Sequence, residues 1–198
     1  MKRLSLILGC VLLFAGIAQA AEKPVIRLGA RVFTEQTLLA EITAQYLRSK
    51  GYDAQITGGL GSNLARSAHE SGQLDLLWEY TGVSLVAYNH VTEKLDSAQS
   101  YARVKELDAK KGLVWLTPSK FSNTYALALP KKVAEQYPQI GNISQLNEVL
   151  RAEAKTNHLV ALDTEFANRS DGLDGMVKLY DMNLTRKNIR QMDAGLVY

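Results

Sequence analysis

Short apolar runs alternate with stretches of helical periodicity from Lys23 onward. This alternation is typical of α/β folds, in which strands and covering helices follow one another along the chain. It predicts a first strand over 24–28, a helix over 34–50 that ends at Gly51, and a second strand over 52–57. The sequence therefore favours an α/β architecture from its first elements.

The same pattern continues to the end of the chain, with one polar interruption. It predicts a strand over 74–78, a helix after Thr81, a helix over 97–111, strands over 114–116, 125–129 and 159–162, and helices beginning at Ser62, at Ser144 and near Leu173. The polar stretch 118–124 is interpreted as a crossover between two lobes, lobe I over 21–122 and lobe II over 123–198.

Few elements follow the crossover, and residues 194–198 are predicted to begin another helix. We therefore expect the second lobe to be incomplete and the chain to be truncated.

The first twenty residues have the composition of an export signal. Lys2 and Arg3 precede an apolar run over 4–17, and the small residues Ala18 and Ala20 flank Gln19 at the spacing of a cleavage site. The run is about 14 residues long, which is short of the roughly 20 that span a bilayer. We predict a cleaved signal peptide over 1–20 and a periplasmic mature chain that does not cross the membrane. A membrane anchor and a lipid anchor at Cys10 are the alternatives.

The composition excludes several classes of function. The formal charge falls from +3 to +1 when Lys2 and Arg3 leave with the signal peptide, so no basic surface for nucleic acid is expected. Cys10, the only cysteine, leaves as well, and the three histidines are scattered. The common hydrolase, metalloprotease and phosphate-loop motifs are missing from the sequence. We expect no enzyme, no metal and no cofactor.

Three of the nine tyrosines lie in polar or turn contexts. Tyr80 follows a predicted strand, Tyr125 lies at the crossover and Tyr198 is the last residue. A tyrosine at a strand end most often packs against its neighbours, so packing and ligand binding both remain open on these residues alone.

Three motifs together resemble a known family. The sequence reads GARVFTEQ at 29–36, WEYTG at 78–82 and TEFANRSDGL at 164–173. In this order they are similar to the substrate-binding proteins of ABC importers for glycine betaine, carnitine, choline and related osmoprotectants. The resemblance covers essentially the whole mature chain. It implies a two-lobed periplasmic-binding-protein fold of type II that closes on its ligand.

The resemblance implies an aromatic cage for a quaternary ammonium group. Such a cation has no N–H to donate, but it is attracted to aromatic faces by roughly 0.5–2 kcal/mol per contact. Tyr80 and Tyr125 would be walls of the cage, and Tyr198 would be a wall from the second lobe. The backbone carbonyl of Asn123 would face the ammonium methyl groups, and a further tyrosine of the family would lie beyond residue 198.

The resemblance also implies a grip on the ligand carboxylate, which a guanidinium can bind through two hydrogen bonds. Arg169 would hold it from the second lobe, and Arg31 stands where the family often has a lysine that faces the same group. A surface ion pair of these arginines with Glu35 or Asp171 is the alternative. Val83 replaces a threonine that a relative directs toward the carboxylate.

The predicted function is that of an exported receptor that delivers a quaternary ammonium compound to a membrane permease. We expect a monomer. Three alternatives remain: a receptor for another small zwitterion such as an amino acid, an exported enzyme on the same scaffold, and a truncated chain that does not fold stably by itself. Because such a receptor closes through both lobes, we expect the 198-residue form to bind its ligand weakly or not at all.

Overall fold

The computed structural model describes residues 24–156 and 158–197. The predicted signal peptide over 1–20 and the predicted cage residue Tyr198 lie outside these residues. Within them the chain forms a mixed α/β structure with two parallel sheets, so the predicted fold class is confirmed. Among the described helices, none combines the length and the apolar character needed to span a bilayer.

The first sheet has three parallel strands in the order β2-β1-β3. Its elements are β1 (Val25–Arg31), α1 (Thr34–Ser49), β2 (Asp53–Leu60), α2 (Ser62–Glu70) and β3 (Leu76–Leu77), followed by α3 (Thr81–Val83), a π-helical turn (Ser84–Tyr88) and α4 (Ser97–Ala109). Because β1 is central, the chain leaves it on one side toward β2 and later returns to its other side as β3. In open parallel sheets, ligands bind at such a reversal, outside the carboxyl ends of the strands.

The second sheet has two parallel strands and its own covering helices. Its elements are α5 (Lys131–Gln136), α6 (Ile143–Ala152), β4 (Val160–Asp163), α7 (Thr164–Asn168), α8 (Leu173–Tyr180) and β5 (Ile189–Met192), followed by a 3-10 turn (Ala194–Leu196). Each sheet has a separate apolar core. The first is built around Leu28, Ala44 and Ala54, and the second around Leu150 and Met176 with Met182.

Local sequence explains where the helices begin and end. Ala40 and Ala44 are fully buried, so α1 lies close against the sheet on its small side chains. Gly51 follows α1 with a φ of 83°, a conformation that glycine adopts without steric cost. The side chain of Asp96 caps α4 by accepting a hydrogen bond from the Gln99 backbone amide, and the side-chain oxygen of Gln99 accepts one from the Asp96 backbone amide.

Two predicted strands, 114–116 and 125–129, are wrong. Neither segment joins a sheet, and Val114 is 78% exposed. Their apolar and aromatic residues have the composition of a strand, but composition alone supplies no neighbouring strand for backbone hydrogen bonds. The short elements α5, α7 and β5 were not predicted, because they carry too few apolar residues in a regular pattern.

A buried polar network lies between α2, the π-helical turn and α4. Asp108 is fully buried and accepts two hydrogen bonds from the Arg66 guanidinium, at 3.0 and 2.7 Å. Ser84, Asn89 and Trp115 donate further hydrogen bonds to the same carboxylate. Burial alone would raise the pKa of Asp108, but these donors outweigh it and hold the pKa well below the usual value.

The Asp108 network predicts a large stability effect. Asp108→Asn should lower the free energy of unfolding by about 3 kcal/mol, because it removes one of the two acidic partners of the buried Arg66 and leaves the partly exposed Glu70. Since the folded-state pKa is depressed, the carboxylate stabilises the fold above its unfolded value of 3.8 and loses this effect as the pH falls below it. Urea unfolding at pH 7 and pH 3 measures both effects. A variant that matches the unsubstituted chain at pH 7 would contradict the prediction.

Candidate ligand-binding site

One open cavity of about 3240 Å³ collects the carboxyl ends of the strands of both sheets. Five of the predicted site residues line it: Arg31, Tyr80, Asn123, Tyr125 and Arg169. Arg31 is the last residue of β1, Tyr80 follows β3, and Arg169 follows α7 at the end of β4. The cavity is larger than the 300–1,000 Å³ of a typical small-molecule pocket, as expected for a cleft that is open.

Arg31 forms a buried ion pair with Glu79. The Arg31 side chain is 1% exposed, that of Glu79 is 9% exposed, and the guanidinium Nη2 donates to Glu79 Oε2. Glu79 Oε1 in turn accepts a hydrogen bond from the Tyr80 amide at 2.8 Å. The Arg31 guanidinium also lies 5.7 Å from the centroid of the Tyr80 ring. The alternative of a surface ion pair between Arg31 and Glu35 is therefore wrong.

The Tyr80 hydroxyl is held from two sides by consecutive residues of α1. It donates to Glu35 Oε1 at 2.6 Å and accepts from Gln36 Nε2 at 3.0 Å. Burial raises the pKa of Tyr80 to about 12, so the phenol stays neutral and keeps the proton that it donates. Phe33 packs beside it, with 6.3 Å between the ring centroids. Both hydroxyl functions are in use, which fixes the orientation of the ring.

Asn123 reaches the same carboxylate from the crossover segment. Its Nδ2 donates to Glu35 Oε1 at 3.3 Å. Glu35 thus joins the start of α1, the segment after β3 and the irregular chain before α5. This bond brings the predicted residues Tyr80 and Asn123 together on one side of the cavity.

Arg169 is held by acidic neighbours close in sequence. Its Nε and Nη2 donate to the two oxygens of Asp171 at 2.8 and 2.7 Å, and its Nη1 lies 3.5 Å from Glu165 Oε1. The ion pair with Asp171 is the one that the alternative interpretation predicted. The Arg169 side chain is 10% exposed and lines the cavity. Gly172 closes this turn, since a Cβ there would lie 2.0 Å from the Phe166 carbonyl oxygen.

Tyr125 belongs to the same group of residues as Arg169. Its hydroxyl donates to Glu165 Oε1 at 3.3 Å, and the Arg169 guanidinium lies 5.7 Å from its ring centroid. Phe166 packs on the ring at 4.8 Å between centroids. Burial raises the pKa of Tyr125 well above its usual value, with the Glu165 charge adding to the effect.

A hydrogen bond spans the two sides of the cavity. The hydroxyl of Ser62, at the start of α2, donates to Glu165 Oε2 at 2.7 Å.

Ser84, which follows the replaced threonine position at Val83, is fully buried and donates to Asp108. Its hydroxyl therefore does not supply a ligand contact in place of that threonine.

Tyr80 and Tyr125 have similar surroundings in the cavity. Tyr80 follows β3 and Tyr125 lies in the irregular segment before α5, and each has a hydroxyl bound to a glutamate and an arginine over its ring. Within the described residues, no cluster of acidic, histidine or cysteine side chains could hold a metal ion. Aromatic faces next to guanidinium groups match a ligand that carries both a bulky cation and an anion.

Sequence reasoning missed the acidic partners of the site residues. Glu35, Glu79 and Glu165 hold Tyr80, Arg31 and Tyr125. All three lie inside the motifs at 29–36, 78–82 and 164–173, so the motifs themselves were the available signal. Their pairing could not be read from spacing, because Arg31 and Glu79 are 48 residues apart.

The fold and this cavity define a substrate-binding domain of an ABC importer. Residues 24–198 match the family of substrate binding domains of ABC-type glycine betaine transport systems, and the chain belongs to this family. It is 56% identical over 199 residues to a glycine-betaine-binding protein of Pseudomonas aeruginosa, covering 98% of this chain and 63% of that protein.

More distant relatives agree with this assignment. The glycine betaine-binding protein YehZ of Escherichia coli is 31% identical over 98% of this chain and 65% of its own length. The solved structure of apo YehZ matches with a TM-score of 0.52 at 30% identity, over 86% of this chain and 61% of that one. An ergothioneine transport permease/ergothioneine binding protein of Helicobacter pylori, EgtU, is 28% identical over 89% of this chain and 31% of its length. The chain thus spans less than two thirds of these relatives.

Proposed function

We propose that the full-length protein is the exported binding component of an ABC importer and binds a quaternary ammonium osmoprotectant, glycine betaine first among them. The observation that carries this proposal is the pair of tyrosines, Tyr80 and Tyr125, that line one cavity with an arginine cation 5.7 Å from each ring centroid. A guanidinium cation lies near each ring, and a cation over an aromatic face is the contact that a trimethylammonium group needs.

The cation end of the ligand is assigned to the tyrosine cage. Tyr80 and Tyr125 form two walls, the Asn123 carbonyl faces the methyl groups and Tyr198 forms a further wall. Support comes from the hydrogen bonds that hold the Tyr80 and Tyr125 hydroxyls and from the position of both residues in the lining of the cavity.

The anion end is assigned to Arg169, with Arg31 as a second positive charge in the lining of the same cavity. The partner of Arg169, Asp171, is half exposed, so water can solvate Asp171 when a ligand carboxylate takes its place on the guanidinium. Arg31 is buried against Glu79 and contributes mainly by fixing the end of β1 beside Tyr80. A carboxylate bound by a guanidinium distinguishes a betaine from choline.

Location and partner follow from the family. A periplasmic protein released by cleavage of the segment 1–20 would deliver its ligand to a membrane permease, and lobes over 21–122 and 123–198 would close on it as a monomer. The permease partner is supported by the name of the Helicobacter relative, which joins a permease and a binding protein. The relatives are named as binding proteins, which favours a receptor over an exported enzyme.

The choice of ligand is the first prediction on this site. In calorimetric titrations of the full-length protein we expect glycine betaine to bind more tightly than choline or ergothioneine, and free glycine not to bind, because it lacks the methyl groups that contact the rings. NMR spectra of the ligand should stay unchanged after prolonged incubation. Tight binding of glycine would instead favour the amino-acid receptor, and chemical turnover would favour the enzyme.

The tyrosine rings are the second prediction on this site. Tyr80→Ala and Tyr125→Ala should weaken glycine betaine by about tenfold or more, since the ring face supplies roughly 0.5–2 kcal/mol of attraction and much of the contact area. The Phe variants keep the ring and should lose much less. Tyr46→Ala, on the exposed side of α1, serves as the control. Equal losses for Ala and Phe would exclude a cage.

Arg169 tests the anion end. Arg169→Ala should weaken glycine betaine far more than choline, because a buried charge-assisted pair is worth about 2–5 kcal/mol and choline has no carboxylate to form it. Arg103→Ala, in a surface pair with Glu106, controls for a general loss of positive charge. Equal losses for both ligands would show that Arg169 only stabilises the turn with Asp171.

A further inference from the structure

Glu35 holds both cage residues on its side of the cavity and does not itself line it. Its Oε1 accepts hydrogen bonds from the Tyr80 hydroxyl at 2.6 Å and from Asn123 Nδ2 at 3.3 Å. The residues around the cavity include Tyr80 and Asn123. A change at Glu35 therefore reaches a ligand through these two side chains.

The charge of Glu35 also differs from that of the other acids near the cavity. Glu79 is paired with Arg31, and Glu165 lies near Arg169 and accepts from Ser62. Across residues 24–156 and 158–197, Glu35 forms no ion pair with a basic side chain. Its negative charge is therefore stabilised by the neutral donors Tyr80 and Asn123 and by the first turn of α1, in which it lies, and not by a basic side chain of the described residues.

A phenol that donates to a carboxylate carries extra electron density on its ring, and a cation at that ring is attracted to the carboxylate as well. The Arg31 guanidinium at the Tyr80 ring shows that this face accepts positive charge. Glu79 already neutralises Arg31. The charge at the Tyr80 hydroxyl that has no oppositely charged side chain beside it is therefore the negative charge of Glu35.

We propose that Glu35 is a positioning residue that, through Tyr80 and Asn123, favours ligands with a net positive charge. This inference rests on the proposed function. The ammonium group of glycine betaine and that of choline would gain equally from Glu35, but the carboxylate of glycine betaine is repelled by it. Glu35 therefore adds more to the binding of choline than to that of glycine betaine and narrows the preference that Arg169 creates.

The test measures both ligands on matched variants of the full-length protein. Glu35→Gln keeps an oxygen acceptor and removes the charge, so it should weaken choline by about tenfold and glycine betaine by about threefold. Glu35→Asp keeps the charge and should leave the ratio of the two affinities unchanged. Glu41→Gln removes a charge from the exposed side of the same helix and should change neither affinity.

A double variant tests whether Glu35 acts through the Tyr80 hydroxyl. If Glu35 acts through Tyr80, Glu35→Gln should have a smaller effect on choline when Tyr80 is already Phe. The same tenfold loss in that background would overturn the positioning role. Equal losses of both ligands with Glu35→Gln, or no loss, would overturn the charge preference.

Two controls separate this inference from the function itself. If the unsubstituted protein binds neither ligand, the proposed function fails and the inference fails with it; if it binds both, the variants test Glu35 alone. Thermal unfolding without ligand checks that each variant folds. If Glu35→Gln does not unfold cooperatively, the affinities of the unsubstituted protein are measured at different salt concentrations instead. Choline should lose more affinity than glycine betaine between roughly 50 mM and 500 mM NaCl, because salt screens the attraction of its net positive charge to Glu35. Equal losses for the two ligands would overturn the proposal.

Discussion

The buried ion pair between Arg31 and Glu79 is the interaction on which the candidate site depends. Both side chains are removed from water at the ends of neighbouring strands, where an unpaired charge would cost several kcal/mol. Their pairing fixes the end of β1 against the segment after β3. The backbone amide of Tyr80 donates to the same Glu79 carboxylate, so the ion pair also fixes the backbone position from which the Tyr80 side chain extends.

The two sides of the cavity have the same set of contacts, but their arginines differ in burial and in the exposure of their acidic partners. On each side a tyrosine hydroxyl binds a glutamate and an arginine lies 5.7 Å from the ring centroid. Arg31 is 1% exposed and locked between Glu79 and the ring, whereas Arg169 is bound to an acid that is half exposed. The first side is therefore more fully enclosed, and the second carries the guanidinium to which the proposed function assigns the ligand carboxylate.

The sequence predicted the regular elements better than the contacts between them. The alternation of apolar runs and helical periodicity identified β1, α1 and β2, but the α1 residues that pack against the sheet are Ala40 and Ala44, whereas the larger Leu38 and Ile42 are more than half exposed. It failed at 114–116 and 125–129, because apolar composition does not reveal whether a neighbouring strand is there to pair with. Motif resemblance located the cavity residues, but the pairing of Tyr80 with Glu35, 45 residues apart, required the folded chain.

Hydrogen bonding inside the described chain is most incomplete beside Tyr80. Two buried side-chain atoms form no hydrogen bond with the described protein, Arg31 Nε and Gln36 Oε1, and both residues contact Tyr80. Each such atom costs about 1–3 kcal/mol, while the equally buried Asp108 network satisfies its carboxylate with four donor residues. Among the buried side-chain atoms of the described residues, these two lie together at one wall of the cavity, and the cost falls there unless water or a ligand supplies a partner. Such a cost persists where a residue is kept for binding rather than for stability, and this wall is where the proposed cation contact lies.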